Sequence, residues 1–121
     1  MRFFAGLLAA VATCATLAAA YAQNFPARMI RGATLHGFQD KNEFYDYFAP
    51  DGSTMSLLVG TGDVSHGRYT IEDGDLCLNY PGDKPLCYKF TGLPPALTMI
   101  DDGTGQITRV RLLWGNPKKL R

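Results

Sequence analysis

A chain of 121 residues with 12 Lys and Arg against 11 Asp and Glu holds one small domain and leaves no room for a second. So even a balance of charge argues against a nucleic-acid partner, which would demand a strongly basic surface.

Residues 1–22 read as an export signal. Arg2 is the charged start, an apolar Ala-rich run follows, and Ala20-Tyr21-Ala22 is a small-x-small cleavage site before Gln23. A retained membrane anchor and lipidation at Cys14 are the competing readings. The cleavage residues disfavour the first, and Thr13 ahead of the cysteine disfavours the second. Removing residues 1–22 leaves 99 residues with 11 basic and 11 acidic side chains, no membrane span and two cysteines, Cys77 and Cys87. An even pair in an exported chain reads as a disulfide in an oxidising compartment, periplasmic or extracellular.

The remaining 99 residues divide into a linker, one β-domain and a tail. Residues 23–32 link signal to domain, with a short helix predicted between Pro26 and Gly32. Residues 33–115 are the domain. Residues 33–37 form a short strand, and residues 43–49 an aromatic one with Phe44 and Phe48 on one face and Tyr45 and Tyr47 on the other. Pro50-Asp51-Gly52 turns the chain into a returning strand over residues 53–59. The glycine-rich residues 60–67 read as a loop, or as a weak strand around Val64.

Residues 67–90 organise the rest. Asp73-Gly74 is a strong two-residue hairpin signal, because its turn type needs positive φ at both central positions. Centring the turn there pairs Ile71 with Leu76 and Tyr69 with Leu78. A second turn at Pro81-Gly82-Asp83 pairs Leu78 with Leu86, Leu76 with Tyr88, and Cys77 with Cys87. One face stays apolar and the cysteines meet on the other. Alternation of pair types makes the Cys77–Cys87 pair the non-hydrogen-bonded kind, where side chains lie closest. Leu76, Leu78, Leu86 and Tyr88 are expected to be buried together. Residues 96–100 and 106–114 form a last hairpin, and residues 116–121 are a basic tail expected to be disordered. The fold class is all-β: an antiparallel up-and-down meander of about eight short strands, closed into a small barrel or strongly curved.

Signals for chemistry are poor. Gly60-Thr61-Gly62 lacks the third glycine and the helix of a dinucleotide loop, and there is no CxxC, HExxH or G-x-S-x-G. His36 and His66 lack metal-ligand spacing, so neither a metal nor a cofactor is expected. Ser65 and His66, being adjacent, face opposite sides of a strand and cannot act as nucleophile and base. Most carboxylates fall in predicted turns, where Asp serves the backbone. The aromatic residues are the better lead. Most fill a small barrel; Tyr45 and Tyr47, with His66 and Arg68 nearby, are the candidate face for a ligand or protein partner.

In order along the chain stand Gly32-x-Thr34-x-x-Gly37, Tyr47-x-x-x-Asp51-Gly52, Gly67-x-Tyr69-x-Ile71, Leu76-Cys77 and Cys87. This order resembles a family of small exported proteobacterial proteins with no assigned function. Tyr69 stands where that family more often has Trp. The resemblance implies a β-rich, disulfide-bonded fold and carries no catalytic residue across. The expected function is a periplasmic binding or protein-interaction module, with an inhibitor of a cell-wall hydrolase as the alternative. An enzyme is a distant third, for want of a catalytic constellation. Oligomeric state and the identity of any partner are not legible.

Overall fold

The computed structural model describes residues 24–121, so the segment read as an export signal lies outside the described residues. Among the described residues, eight antiparallel strands run up and down in sequence order and close into a barrel, β1 pairing with β8. The strands are β1 Ala33–Gln39, β2 Asn42–Phe48, β3 Ser53–Leu58, β4 Asp63–Glu72, β5 Asp75–Asn79, β6 Leu86–Leu93, β7 Ala96–Asp101 and β8 Ile107–Trp114. The barrel is thus closed rather than an open curved sheet. Closure leaves no free sheet edge along most of its height.

The stapled hairpins have the register their side-chain parity dictates. Ile71 faces Leu76, Tyr69 faces Leu78, Leu78 faces Leu86, Leu76 faces Tyr88, and Cys77 faces Cys87. The two cysteines form a disulfide on the outside of β5 and β6, their α-carbons 4.1 Å apart. Asp73 and Gly74 both have positive φ, as the two-residue turn requires.

Two expectations need correction. The predicted N-terminal helix is only a single 3-10 turn, Ala27–Ile30. Four residues cannot support a helix, and this segment is held by tertiary contacts instead, with Phe25 N–H donating to the Phe90 carbonyl and Gly32 N–H to that of Phe48. Leu86 is 41% exposed, although Leu76 and Leu78 are buried. It sits at the end of β6, beyond the packed part of the barrel. Of the two readings of residues 60–67, the strand around Val64 is the one found: the loop ends at Gly62 and β4 begins at Asp63. Its inward positions, Asp63, Ser65 and Gly67, carry no apolar side chain, which is why alternation signals it only weakly.

The two ends of the barrel differ. The lower end is where the chain enters and leaves, and here Gly115 N–H donates to the Gly32 carbonyl at 3.1 Å. Ala27, Ile30, Leu35, Phe48, Tyr69, Leu76, Phe90, Leu97 and Leu112 fill it as one buried cluster. Phe48 meets Tyr69 edge to face at 5.3 Å, and the Tyr69 hydroxyl donates to the Ala49 carbonyl at 2.6 Å. The 3-10 turn adds Ala27 and Ile30, both buried, to this plug. The upper end carries the β1–β2, β3–β4, β5–β6 and β7–β8 turns, and it is not filled.

Candidate functional site

The sequence singled out Tyr45, Tyr47, His66 and Arg68, and all four lie on the outer surface of β2 and β4. The ladder Tyr47–Met55–His66 runs straight across β2, β3 and β4, so Tyr47 and His66 do share a face. Tyr45 stacks on His36 with ring centroids 4.3 Å apart, and His36 Nε2 contacts a Glu43 carboxylate oxygen at 2.6 Å. Arg68 lies at the lower edge, where its guanidinium donates to the Asp51 carbonyl at 3.0 Å.

The basic tail, expected to be disordered, is laid over this face. Lys118 Nζ sits 4.8 Å from the centre of the Tyr45 ring, and His66 Nε2 lies 2.5 Å from the Arg121 carbonyl oxygen. Asn116 holds the tail's bend through paired hydrogen bonds with the backbone of Leu120. The aromatic face is therefore partly occupied by the chain itself, which weakens it as an open docking surface.

The interior offers a different site. A cavity of about 510 Å³ opens at the upper end and reaches to mid-barrel. Phe44, Leu58, Leu78 and Met99 give it an apolar belt, and Gln39, Asp40, Asn42, Asp101 and Gln106 surround its mouth. Asp46, Ser56, Tyr88 and Thr108 form the deeper polar wall. Such a volume is within the roughly 300–1,000 Å³ of small-molecule sites.

Strand parity puts Asp46 there. It lies between Phe44 and Phe48 on the inward face of β2, directly opposite Ser56 of β3. Its surroundings are dense enough to withdraw water from the charged form, and burial pushes its carboxyl up from 3.8 to about 6. The Ser56 hydroxyl pulls the other way and does not offset burial. One edge of the residue still reaches solvent through the cavity, but Oδ1 has under 1 Å² of accessible surface and no hydrogen-bond partner. An unpaired buried carboxylate oxygen is costly, and such groups are rare in folded proteins.

Tyr80 lies beside this chamber and lines a second pocket of about 280 Å³ with Ser56, Ser65 and His66. β5 ends at Asn79, and its ladder with β4 reaches only to Arg68, so the upper half of β4 lacks a neighbour on that side. The ring of Tyr80 lies across this gap, against Gly67. A Cβ on Gly67 would stand 2.8 Å from Tyr80 Cδ1 and 2.7 Å from the Asn79 carbonyl oxygen, so no other residue fits there. Burial, with the Asp46 carboxylate alongside, pushes the Tyr80 phenol up to about 12, and the Thr54 and Ser56 hydroxyls oppose the shift.

Sequence reasoning missed Asp46 by assigning carboxylates to turns as a class. The signal was present: Phe44-x-Asp46-x-Phe48 puts a carboxylate at the same parity as two core phenylalanines. Among the described residues, no three His, Cys, Asp or Glu side chains are placed to hold a metal ion, and no helix is long and apolar enough to cross a membrane. Compared with known proteins, the chain matches no family model, no curated protein and no solved structure.

Proposed function

We propose that the protein is an exported binding barrel that takes a small molecule into its upper cavity. One observation carries this reading: the barrel is plugged at one end and open at the other, over a cavity lined by Asp46, a carboxylate with one oxygen left without a partner in the chain. Interiors of this size normally close over apolar side chains, and a group as expensive as Asp46 persists where something outside the chain satisfies it. The disulfide supports export, and so does the signal-like segment of residues 1–22. Intact mass of the exported protein should place its first residue at Gln23. Membership of the family with the G-x-T-x-x-G opening and the paired cysteines fits the same picture.

The test is an NMR titration of the mature protein with a small-molecule library. Shifts should concentrate on Phe44, Ser56, Tyr88 and Thr108, and Leu58→Trp, which places an indole at the mouth, should suppress them. Shifts confined to the outer surface of β2–β4, or unaffected by Leu58→Trp, would overturn the cavity as the site.

A second reading, an inhibitor of a cell-wall hydrolase, is favoured by the acidic residues of the upper turns. Asp40, Asp83 and Asp102 are exposed there, a rim suited to a basic enzyme surface. Inhibition of a panel of cell-wall hydrolases, lost on neutralising these three, would select it.

A further inference from the structure

We infer that the molecule taken into the cavity is an organic ammonium ion, its N–H donors facing Asp46 and its apolar body against the belt of Phe44, Leu78 and Met99. This rests on the cavity being the binding site, and adds the chemical class of what binds.

Three ligand charges have to be weighed against the same wall. An anion would meet Asp46 at depth and Asp40 and Asp101 at the mouth, with no Lys, Arg or His lining the cavity to compensate. A neutral ligand would exclude the remaining water from Asp46 and leave its carboxylate in a still drier site, which raises the cost of the charge. A cationic nitrogen brings the opposite charge to the edge of Asp46 that lines the cavity, beside a carboxylate whose other oxygen finds no donor within the chain. A divalent metal would be held best by several charged ligands, and among the described residues no three His, Cys, Asp or Glu side chains come together to hold one. The apolar belt then asks for a hydrocarbon or aromatic body behind the ammonium group, rather than a compact, fully hydrated ion.

The titratable groups facing Asp46 are few. Tyr80 from the β5–β6 turn and Tyr88 from β6 approach it, and Asp40 and Asp101 stand at the mouth above. Neither phenol ionises near neutrality, since burial pushes both upward. Affinity for an ammonium ion should therefore follow the ionisation of Asp46, rising with pH through about 6.

Tryptamine, tryptophol and indole-3-acetate share one ring system and differ in charge, so they make a direct probe by calorimetry or NMR. Tryptamine should bind the mature protein about 10-fold or more tighter than tryptophol, with indole-3-acetate weakest. Lowering pH from about 8 to about 5 should weaken tryptamine about 10-fold and leave tryptophol unchanged. Asp46→Asn should remove the preference for the amine, and Glu72→Gln, exposed at the lower end of β4 away from the cavity, should keep it. Should Asp46→Asn fail to fold, the pH profile of the unaltered protein decides alone.

Equal binding of all three indoles in the cavity, insensitive to pH, overturns the ammonium assignment and leaves the cavity as the site. Mn²⁺ broadening of Asp46 and Asp101 resonances, competitive with tryptamine, overturns it in favour of a metal. Binding that survives Leu58→Trp, or none by any indole at millimolar concentration, overturns the cavity reading itself.

Discussion

The two ends of this barrel are built from the same eight strands and do opposite things. At the lower end, inward positions hold Leu35, Phe48, Phe90 and Leu112, and the 3-10 turn supplies Ile30 to fill what the strands leave. At the upper end, the same parity on the same strands delivers Asp46, Ser56, Asp101 and Thr108. On β2 the change occurs within three residues, from Phe48 to Asp46. A small domain with one disulfide keeps its stability in one half and spends the other on a chamber whose wall is destabilising when empty.

This division makes the cost of substitutions depend on height in the barrel. The largest loss is expected at the plug. Phe48→Ala removes a ring packed edge to face on Tyr69 and should lower stability by about 3–5 kcal/mol in denaturant unfolding. A loss under about 1 kcal/mol would mean that the lower end is not where the fold is held.

Next comes the staple. Cys77→Ser opens a loop with a sequence separation of 10 and should cost about 2–5 kcal/mol, leaving Cys87 reactive to thiol reagents.

At the chamber the sign reverses. Asp46 holds its proton more tightly in the folded chain than in the unfolded one, because its carboxyl is raised from 3.8 to about 6. The folded state therefore loses stability as pH rises through that window, and the penalty is complete above it. Asp46→Asn should accordingly stabilise the empty protein by about 1–3 kcal/mol near pH 8, with the gain shrinking towards zero near pH 4. Thermal unfolding at the two pH values reads this directly, and a variant that loses stability at both would show that Asp46 is a structural partner.

The smallest effect is expected at the exposed end of β6. Leu86→Ala should change stability by less than about 1 kcal/mol, although Leu86 pairs with the buried Leu78.

Local rules made the hairpins legible. Asp73-Gly74 and the alternation of Leu76, Leu78, Leu86 and Tyr88 determine the register of β4 to β6, because a slip of one residue would turn the whole apolar face outward. The exposure of Leu86 was not legible, since parity tells which way a side chain points and not how high the packed core extends. The cavity was hidden for a related reason. It depends on which strands face each other across the barrel, and Asp46 meets Tyr80 through closure rather than through neighbourhood in sequence. The position of the tail was equally invisible. Lys118 and Arg121 read as solvated charges, and only the placement of Tyr45 and His66 on the same outer face, on β2 and β4 either side of β3, gives them something to lie against.

The hydrogen bond from Gly115 to Gly32 has a topological meaning. Every pair of neighbouring strands is joined by a turn except β8 and β1, and there the two chain segments already touch. The barrel is therefore a ring cut at one place, and the cut lies beside the plug. Any upper turn that contributes little to packing, such as the glycine-bearing residues 59–62, is an equivalent place to cut once Gly115 is joined to Phe25 by a linker that leaves Ala27 and Ile30 in the plug. The pattern of inward side chains is the same read from any starting strand, and it is that pattern, not the order of the strands along the chain, that specifies the barrel.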